Sequence, residues 1–169
     1  MQARKRTAQN AARELLTPLS KGKTIVFITL GDPNVFSTFS LVADYVRILD
    51  PKIEISTVPG IMAFQQVASE SKVELLNETE KLFLITANEN LDDLTEALNH
   101  PDAAIVIYKG GRHINGIKQQ LSKAGRLREA VVGELLGLDG ERVVQLDQID
   151  EPTIAYLATV IVPPIRTTD

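Results

Sequence analysis

The chain lacks several residues and segments that would assign it to other protein classes. It contains no cysteine, which excludes disulfides, thiolate metal ligands and cysteine nucleophiles. Its two histidines, His100 and His113, are too few and too scattered to predict a metal site. No apolar run approaches the ~20 residues of a membrane-spanning helix, and the basic N-terminus is not followed by the apolar stretch of a secretory signal. We therefore expect no metal, no membrane partner and a cytoplasmic location.

The composition is that of a globular protein. Of the 169 residues, 44% are apolar and 24% are charged, and the net charge is -4. A negative net charge does not favour nucleic acid as a partner. The length suffices for one domain or two small ones with a buried core.

Hydrophobic periodicity predicts alternating helices and strands in the first part of the chain. This order is typical of a parallel sheet with right-handed crossovers. The predicted elements are a helix over 2–20, a buried strand over 24–30, a helix over 35–49, an alternating strand over 52–58 and a helix over 61–71.

A second set of elements follows a polar segment, residues 71–80. Three consecutive strands close this set, which predicts that its sheet is partly antiparallel. The elements are strands over 81–86, 103–108, 130–136, 141–146 and 155–162, and helices over 90–100 and 114–125. The fold class is therefore α/β, with a parallel-sheet N-terminal domain at 1–76 and a mixed-sheet C-terminal domain at 77–169.

The triplet Gly31-Asp32-Pro33 interrupts the chain between a predicted strand and a predicted helix. Ligands of open α/β sheets bind beyond the carboxyl ends of strands. Glycine permits close approach of a ligand, and Pro33 biases Asp32 away from the helical conformation. Asp32 would then offer a carboxylate to an amine or to ribose hydroxyls. The alternative is that Asp32 only caps the next helix.

A second glycine turn occurs one crossover later, in "VPGIMAF" (residues 58–64). Together with "TLGDPNVFSTF" (29–39), it resembles the tetrapyrrole (corrin/porphyrin) methyltransferase family, which uses S-adenosylmethionine. The form of the first motif is most similar to the precorrin-2 C(20)-methyltransferase subgroup. The segment 103–146, with its Lys-x-Gly-Arg turn, is similar to the second domain of that subgroup. The resemblance runs from about residue 10 to residue 162.

The resemblance implies two α/β domains with the cofactor in the cleft between them. Leu135 and Leu136 are weaker cofactor candidates than the others, because this sequence lacks the Asn-Gly that some relatives have at that position. The cofactor-binding residues that the motif positions imply are Leu30, Gly31, Asp32, Val35, Met62, Ala63, Tyr108, Lys109 and Leu136. The implied reaction is methylation of carbon 20 of precorrin-2 or cobalt-factor II in cobalamin biosynthesis, with S-adenosylhomocysteine as the second product. No catalytic residue can be assigned.

The chain departs from the family pattern at its start. Members of the family open with a strand and a Gly-x-Gly-Pro-Gly-Asp loop, whereas the 30 residues before Gly31 contain no such loop. We expect an N-terminally truncated fragment, with a naturally short relative as the alternative. An unpaired sheet edge would result, which a homodimer could cover. An inactive binding or structural module, or a methyltransferase for another tetrapyrrole position, stays open.

The segment "YKGGRH" carries the candidate substrate-binding residues. Arg112, with Lys109, would pair with the carboxylates of a tetrapyrrole, since guanidinium suits carboxylate geometry. His113 would bind a substrate carboxylate or accept a proton. The alternatives are a solvated loop for the two cations and a surface position for His113.

Overall fold

The computed structural model describes residues 2–166, and the chain divides into two compact units between Met62 and Ala63. Short 3-10 helices cover Gly110–His113 and Leu146–Gln148. The helices are α1 (Gln2–Leu19), α2 (Thr38–Leu49), α3 (Ala63–Ser71), α4 (Asp92–Ala97) and α5 (Ile114–Lys123). The strands are β1 (Lys81–Thr86), β2 (Ala103–Tyr108), β3 (Val131–Glu134), β4 (Arg142–Gln145) and β5 (Ala158–Val162).

The first unit is organised around the packing of α1 against α2. Small buried side chains on α1, Ala8 and Ala12, face Val42 and Val46 on α2. Alanine at these positions lets the two helices approach closely. Ser37 caps the N-terminus of α2, since its side chain accepts a hydrogen bond from the Phe39 N–H at 3.1 Å.

The predicted strands at 24–30 and 52–58 are not formed within residues 2–166. Both segments are rich in β-branched residues, the first in a continuous apolar run and the second in alternation with polar residues, but a strand also needs neighbours for its backbone N–H and C=O groups. Ile28 on the first segment and Val58 on the second are 88% and 83% exposed. The sequence pattern therefore identified residues that are typical of strands, but these segments have no paired neighbours among residues 2–166.

The second unit contains a five-stranded mixed sheet in the order β1-β2-β5-β3-β4. β1 and β2 are parallel, whereas β5 is antiparallel to both β2 and β3, and β4 is antiparallel to β3. This arrangement confirms the α/β class and the mixed sheet expected for the C-terminal part. Every residue of β3 and β5 is buried, as their short apolar runs predict.

Helices cover both faces of this sheet. α4 and α5 pack on one face, where Ile105, Ile107 and Ile117 are fully buried. α3 packs on the other face through Val67. Gly133 in β3 makes this possible, because a Cβ there would lie 2.4 Å from a methyl carbon of Val67.

Most predicted elements occur with shifted ends. The strand predicted at 155–162 begins at Ala158, and the helix predicted at 90–100 is only α4. Gly125 follows α5 in the left-handed conformation, with φ of 71°, as expected of a helix-ending glycine. The domain boundary between residues 76 and 77 stays a prediction beside the observed division into units. Within residues 2–166, no helix combines the length and apolarity needed to cross a membrane.

Candidate functional site

The two glycine turns of the first unit touch each other. A Cβ on Gly60 would lie 2.2 Å from the carbonyl oxygen of Gly31, so this position accepts only glycine. Gly31 has a φ of 66°, which also favours glycine. The structure thus brings together the two turns singled out in the sequence.

Asp32 joins these turns through its carboxylate. One oxygen accepts a hydrogen bond from the Asn34 N–H at 2.8 Å, and the other accepts one from the Gly60 N–H at 3.1 Å. Both hydrogen bonds lower the pKa of Asp32, and the bond from Asn34 has the larger effect. The carboxylate therefore stays charged. The helix-cap alternative is wrong, because Ser37 caps α2. The carboxylate still has lone pairs with which to accept further hydrogen bonds.

The other candidates near these turns differ in exposure. Leu30 is 71% exposed, whereas Val35 and Met62 are half-buried. Ala63 begins α3 and belongs to the second unit. The first unit therefore presents Leu30, Gly31, Asp32 and Val35 in one short segment, with Gly60 held against it.

In the second unit, three strands end at the same edge of the sheet. β1, β2 and β3 run in the same direction, because β5 is antiparallel to both β2 and β3. Tyr108 closes β2 at this edge, and Leu136 follows β3 by two residues. Burial raises the pKa of the Tyr108 hydroxyl to about 12, partly offset by a hydrogen bond with the Phe64 backbone. Tyr108 and Leu136 pack in the cluster that includes Val67.

Two non-glycine residues at this edge have left-handed backbone conformations. Lys109, directly after β2, has a φ of 60°, and Leu135, directly after β3, has a φ of 51°. Such conformations cost about 1–2 kcal/mol for an L-residue and are concentrated at functional sites. The edge is therefore a candidate site on backbone grounds as well as on sequence grounds.

The Lys-Gly-Gly-Arg turn, residues 109–112, lies at this edge. Gly110 and Gly111 are buried, and a Cβ on Gly111 would lie 2.1 Å from the Ala155 carbonyl oxygen. Arg112 is exposed and Lys109 is half-buried. Across residues 2–166, neither cation forms an ion pair with a carboxylate. His113 is half-buried between the turn and α5.

Sequence reasoning missed Glu134, a buried carboxylate at the end of β3. It is 4% exposed, pairs with Arg142 and accepts the Ala155 N–H at 2.7 Å. The Asp139-Gly140 pair predicts a hairpin but not the register of its strands, in which Glu134 lies opposite Arg142. Among the residues that the structure describes, no three acidic, histidine or cysteine side chains form a group suited to a metal.

Comparison with known proteins gives relatives in cobalamin biosynthesis. The chain is 31% identical over 154 residues to the cobalt-precorrin-2 C(20)-methyltransferase of Salmonella typhimurium, covering 89% of this chain and 63% of that protein. It is 25% identical over 154 residues to the cobalamin biosynthesis protein CobIJ of Mycobacterium tuberculosis, covering 91% of this chain and 30% of that protein. The chain thus spans less than two thirds of the length of these relatives.

Solved structures share the fold. The methyltransferase CobJ superimposes with a TM-score of 0.68 at 20% identity, covering 95% of this chain and 74% of that one. The uroporphyrin-III C-methyl transferase of Thermus thermophilus, complexed with S-adenyl homocysteine, gives 0.61 at 18% identity, covering 90% and 71%. The family model of the tetrapyrrole (corrin/porphyrin) methylases matches residues 2–150. The chain therefore belongs to the tetrapyrrole (corrin/porphyrin) methylases.

Proposed function

We propose that the chain belongs to an S-adenosylmethionine-dependent C-methyltransferase that acts on a corrin precursor in cobalamin biosynthesis. Tetrapyrrole methylases use S-adenosylmethionine, and this family is one of methyltransferases. The observation that carries the proposal is the Asp32 carboxylate, which ties the two glycine turns together in a chain of this family.

The segment around Asp32 fits the cofactor chemically. The lowered pKa of Asp32 keeps the carboxylate charged, which suits the ammonium group of the methionine part or the ribose hydroxyls. Gly31 carries no side chain that would hinder a ligand, and Leu30 beside it offers exposed apolar surface. We assign Val35, Met62 and Ala63 to the same role. In the second unit we assign Tyr108, Lys109 and Leu136.

The substrate-binding residues that we propose are Arg112 and His113, with Lys109 as a second cation. Tetrapyrrole precursors carry several carboxylates, and the exposed Arg112 guanidinium, which pairs with no carboxylate among residues 2–166, is available to bind them. Arg142, by contrast, is occupied by Glu134 and Glu151. The two buried glycines between Lys109 and Arg112 fix the spacing of the two cations along the turn.

The mechanism requires mainly proximity and orientation. The bound cofactor supplies a methyl group already activated on a sulfonium. The task of the protein is then to hold the accepting carbon in line with that methyl group. Arg112 and Lys109 would orient the macrocycle through its carboxylates, and Asp32 would fix the cofactor end. His113 is positioned beside these cations and would accept the proton that the methylated carbon loses.

We propose carbon 20 of precorrin-2 or of its cobalt form as the methylated position. The 31% identity to the Salmonella cobalt-precorrin-2 C(20)-methyltransferase supports this choice over other ring positions.

We further propose a cytoplasmic homodimer. Val26 and Ile28, which precede the cofactor candidate Leu30, lie on one face of their segment and are 79% and 88% exposed, so that a second copy could cover them. Light scattering tests the dimer.

Calorimetric titration with S-adenosylhomocysteine tests the cofactor site. Asp32→Ala should weaken binding by about 10- to 100-fold, because a charged hydrogen-bond acceptor is lost. Asp44→Ala, an exposed carboxylate of α2 in the same unit, is the control and should bind like the wild type. Equal affinity of all three proteins would refute the assignment of Asp32. Incubation with precorrin-2 or cobalt-factor II and labelled cofactor then identifies the methylated carbon.

A second candidate is a binding module without catalytic activity. The observation that favours it is the missing ladder of residues 24–30 and 52–58, which leaves the segment before Gly31 without strand neighbours among residues 2–166. This candidate predicts weak or no binding of S-adenosylhomocysteine by a folded chain. Transfer of a methyl group to either precursor would exclude it.

A further inference from the structure

A segment of the second unit, residues 149–157, is fixed at several points beside the Lys-Gly-Gly-Arg turn. We call this segment the strap. The Lys118 ammonium donates to the Ile149 carbonyl, and the Asn115 amide donates to the Pro152 carbonyl at 3.3 Å. Both donors lie on α5, which directly follows the turn. The strap is therefore held from the side of the helix.

The strap also contacts the turn itself. The Ile154 N–H donates to the Gly111 carbonyl at 3.1 Å. A Cβ on Gly111 would lie 2.6 Å from the Ile154 carbonyl oxygen and 2.1 Å from that of Ala155. The strap backbone therefore packs directly against Gly111, the residue before Arg112. Any displacement of the strap must change the position of this part of the turn.

Glu134 also holds the strap. One carboxylate oxygen accepts the Ala155 N–H at 2.7 Å, and the other pairs with Arg142. Arg142 in turn pairs with Glu151 of the strap at 2.9 Å. Glu134 is almost fully buried, so its two oxygens have little access to water as a substitute partner. One side chain thus joins the end of β3 to the strap twice, directly and through Arg142.

We infer that Glu134 is a positioning residue, which acts through the strap to hold the Lys-Gly-Gly-Arg turn in the orientation that binds substrate carboxylates. The inference rests on the proposed function, since it takes Arg112 and Lys109 as the carboxylate-binding groups. Glu134 itself has no role at the reacting atoms. Its carboxylate holds the backbone of Ala155, which packs against Gly111. Gly111 in turn sets the position of the backbone of Arg112, the next residue. The ligand class is a tetrapyrrole polycarboxylate.

The test is Glu134→Gln, with Glu80→Gln as a matched control. Glutamine has one acceptor oxygen and one donor nitrogen, so it cannot serve both the Ala155 N–H and Arg142. Glu80 is a comparable residue far along the chain from the strap. Both of its oxygens accept hydrogen bonds from the Arg166 guanidinium at 2.8 Å, and one of them also accepts the Asn77 N–H at 2.6 Å. Both variants therefore lose one ion pair and disturb one backbone contact.

The readouts are titration of the full chain with uroporphyrin III as a stable tetrapyrrole polycarboxylate, titration with S-adenosylhomocysteine, and hydrogen exchange of the strap amides. Glu134→Gln should weaken uroporphyrin binding about tenfold, because a small displacement of a binding group suffices for such a loss. It should speed exchange at Ile154 and Ala155 and leave the affinity for S-adenosylhomocysteine within about twofold of the wild type. Glu80→Gln should change none of these three readouts.

Each other outcome is decisive. Equal uroporphyrin binding by wild type and Glu134→Gln would overturn the inference and leave the proposed function standing. An equal loss in Glu80→Gln would also overturn it, because general destabilisation would explain the effect. A folded wild type that binds no uroporphyrin would overturn the proposed substrate class, and the inference with it. Should Glu134→Gln fail to fold, Glu134→Asp keeps both acceptors and the charge but shortens the side chain, and it must show the same selective loss.

Discussion

Both units of the chain contain apolar, β-branched segments, but only the second unit pairs them into a sheet among residues 2–166. In the second unit, β1, β2, β3, β4 and β5 pair into one sheet whose two faces are covered by helices. In the first unit, the equally apolar segment 24–30 forms no ladder within the described part of the chain, and Val26 and Ile28 are 79% and 88% exposed. Strand formation therefore depends on the neighbours that a segment finds as much as on its own residues.

The units also differ in how their functional candidates are held. Around Asp32, two hydrogen bonds join two turns, and the residue before them, Leu30, is largely exposed. The Lys-Gly-Gly-Arg turn, in contrast, starts from a strand paired on both sides and is packed against the strap. We therefore expect the second unit to hold its candidate residues more rigidly than the first.

The largest expected effect comes from the same substitution made once in each unit. Ile105→Ala removes a fully buried side chain from β2 and should lower the free energy of unfolding by about 2–5 kcal/mol. At a protein concentration low enough to keep the chain monomeric, Ile28→Ala removes an exposed side chain and should change it by less than about 0.5 kcal/mol. Denaturant unfolding followed by circular dichroism measures both. A large loss in Ile28→Ala would show that the segment 24–30 is buried in solution.

A smaller effect is expected at the glycines of the second unit. Gly111→Ala places a Cβ within 2.1 Å of the Ala155 carbonyl oxygen and should cost about 1–3 kcal/mol through overpacking. Gly125→Ala has no atom within 4 Å, and only its φ of 71° opposes the change, so about 1 kcal/mol is expected. Thermal unfolding compares the two variants. Equal losses would mean that the strap moves away freely from Gly111.

The sequence predicted the second unit better than the first, for physical reasons. Its strands are short apolar runs bounded by turn residues, and Gly125 and the Asp139-Gly140 turn mark a helix end and a hairpin. The strands at 24–30 and 52–58 had the same local signals, but no local signal reports whether a neighbour exists. The cap of α2 is Ser37, and Asp32, five residues earlier, has similar capping chemistry, so the sequence alone does not distinguish the two.

The glycine turns of the candidate site could be predicted from the sequence, but the contacts of its carboxylates could not. Gly31 and Gly60 were identified as turns, and their contact follows from the order of the elements. That Asp32 would bond to the Gly60 N–H was not visible, because it joins residues 28 positions apart. Glu134 was hidden for a similar reason, since its partners at Arg142 and Ala155 depend on strand register and on the path of the strap.

The smallest effects should come from ion pairs, and they sharpen the contrast between the units. Glu80 in the second unit has a pKa lowered from 4.5 to about 2, chiefly by its hydrogen bond with Arg166. Because the folded-state pKa is below the unfolded value, the stabilisation is complete above about pH 4.5 and is lost as the pH falls toward 2. Glu80→Gln should therefore lower the thermal midpoint at pH 7, and its difference from the wild type should shrink between pH 4.5 and 2.

The matched pair in the first unit is Asp44 with Arg47, at 3.0 Å along the exposed side of α2. Such pairs contribute roughly 0.3–0.5 kcal/mol and are screened by salt. Asp44→Asn should therefore leave the thermal midpoint nearly unchanged at every pH. Arg166 lies near the end of the described chain and contacts both Glu80 and Glu74, so its pairing also ties that segment to β1. If Asp44→Asn were as costly as Glu80→Gln at pH 7, charge alone would explain both effects, and the tie between these segments would contribute nothing.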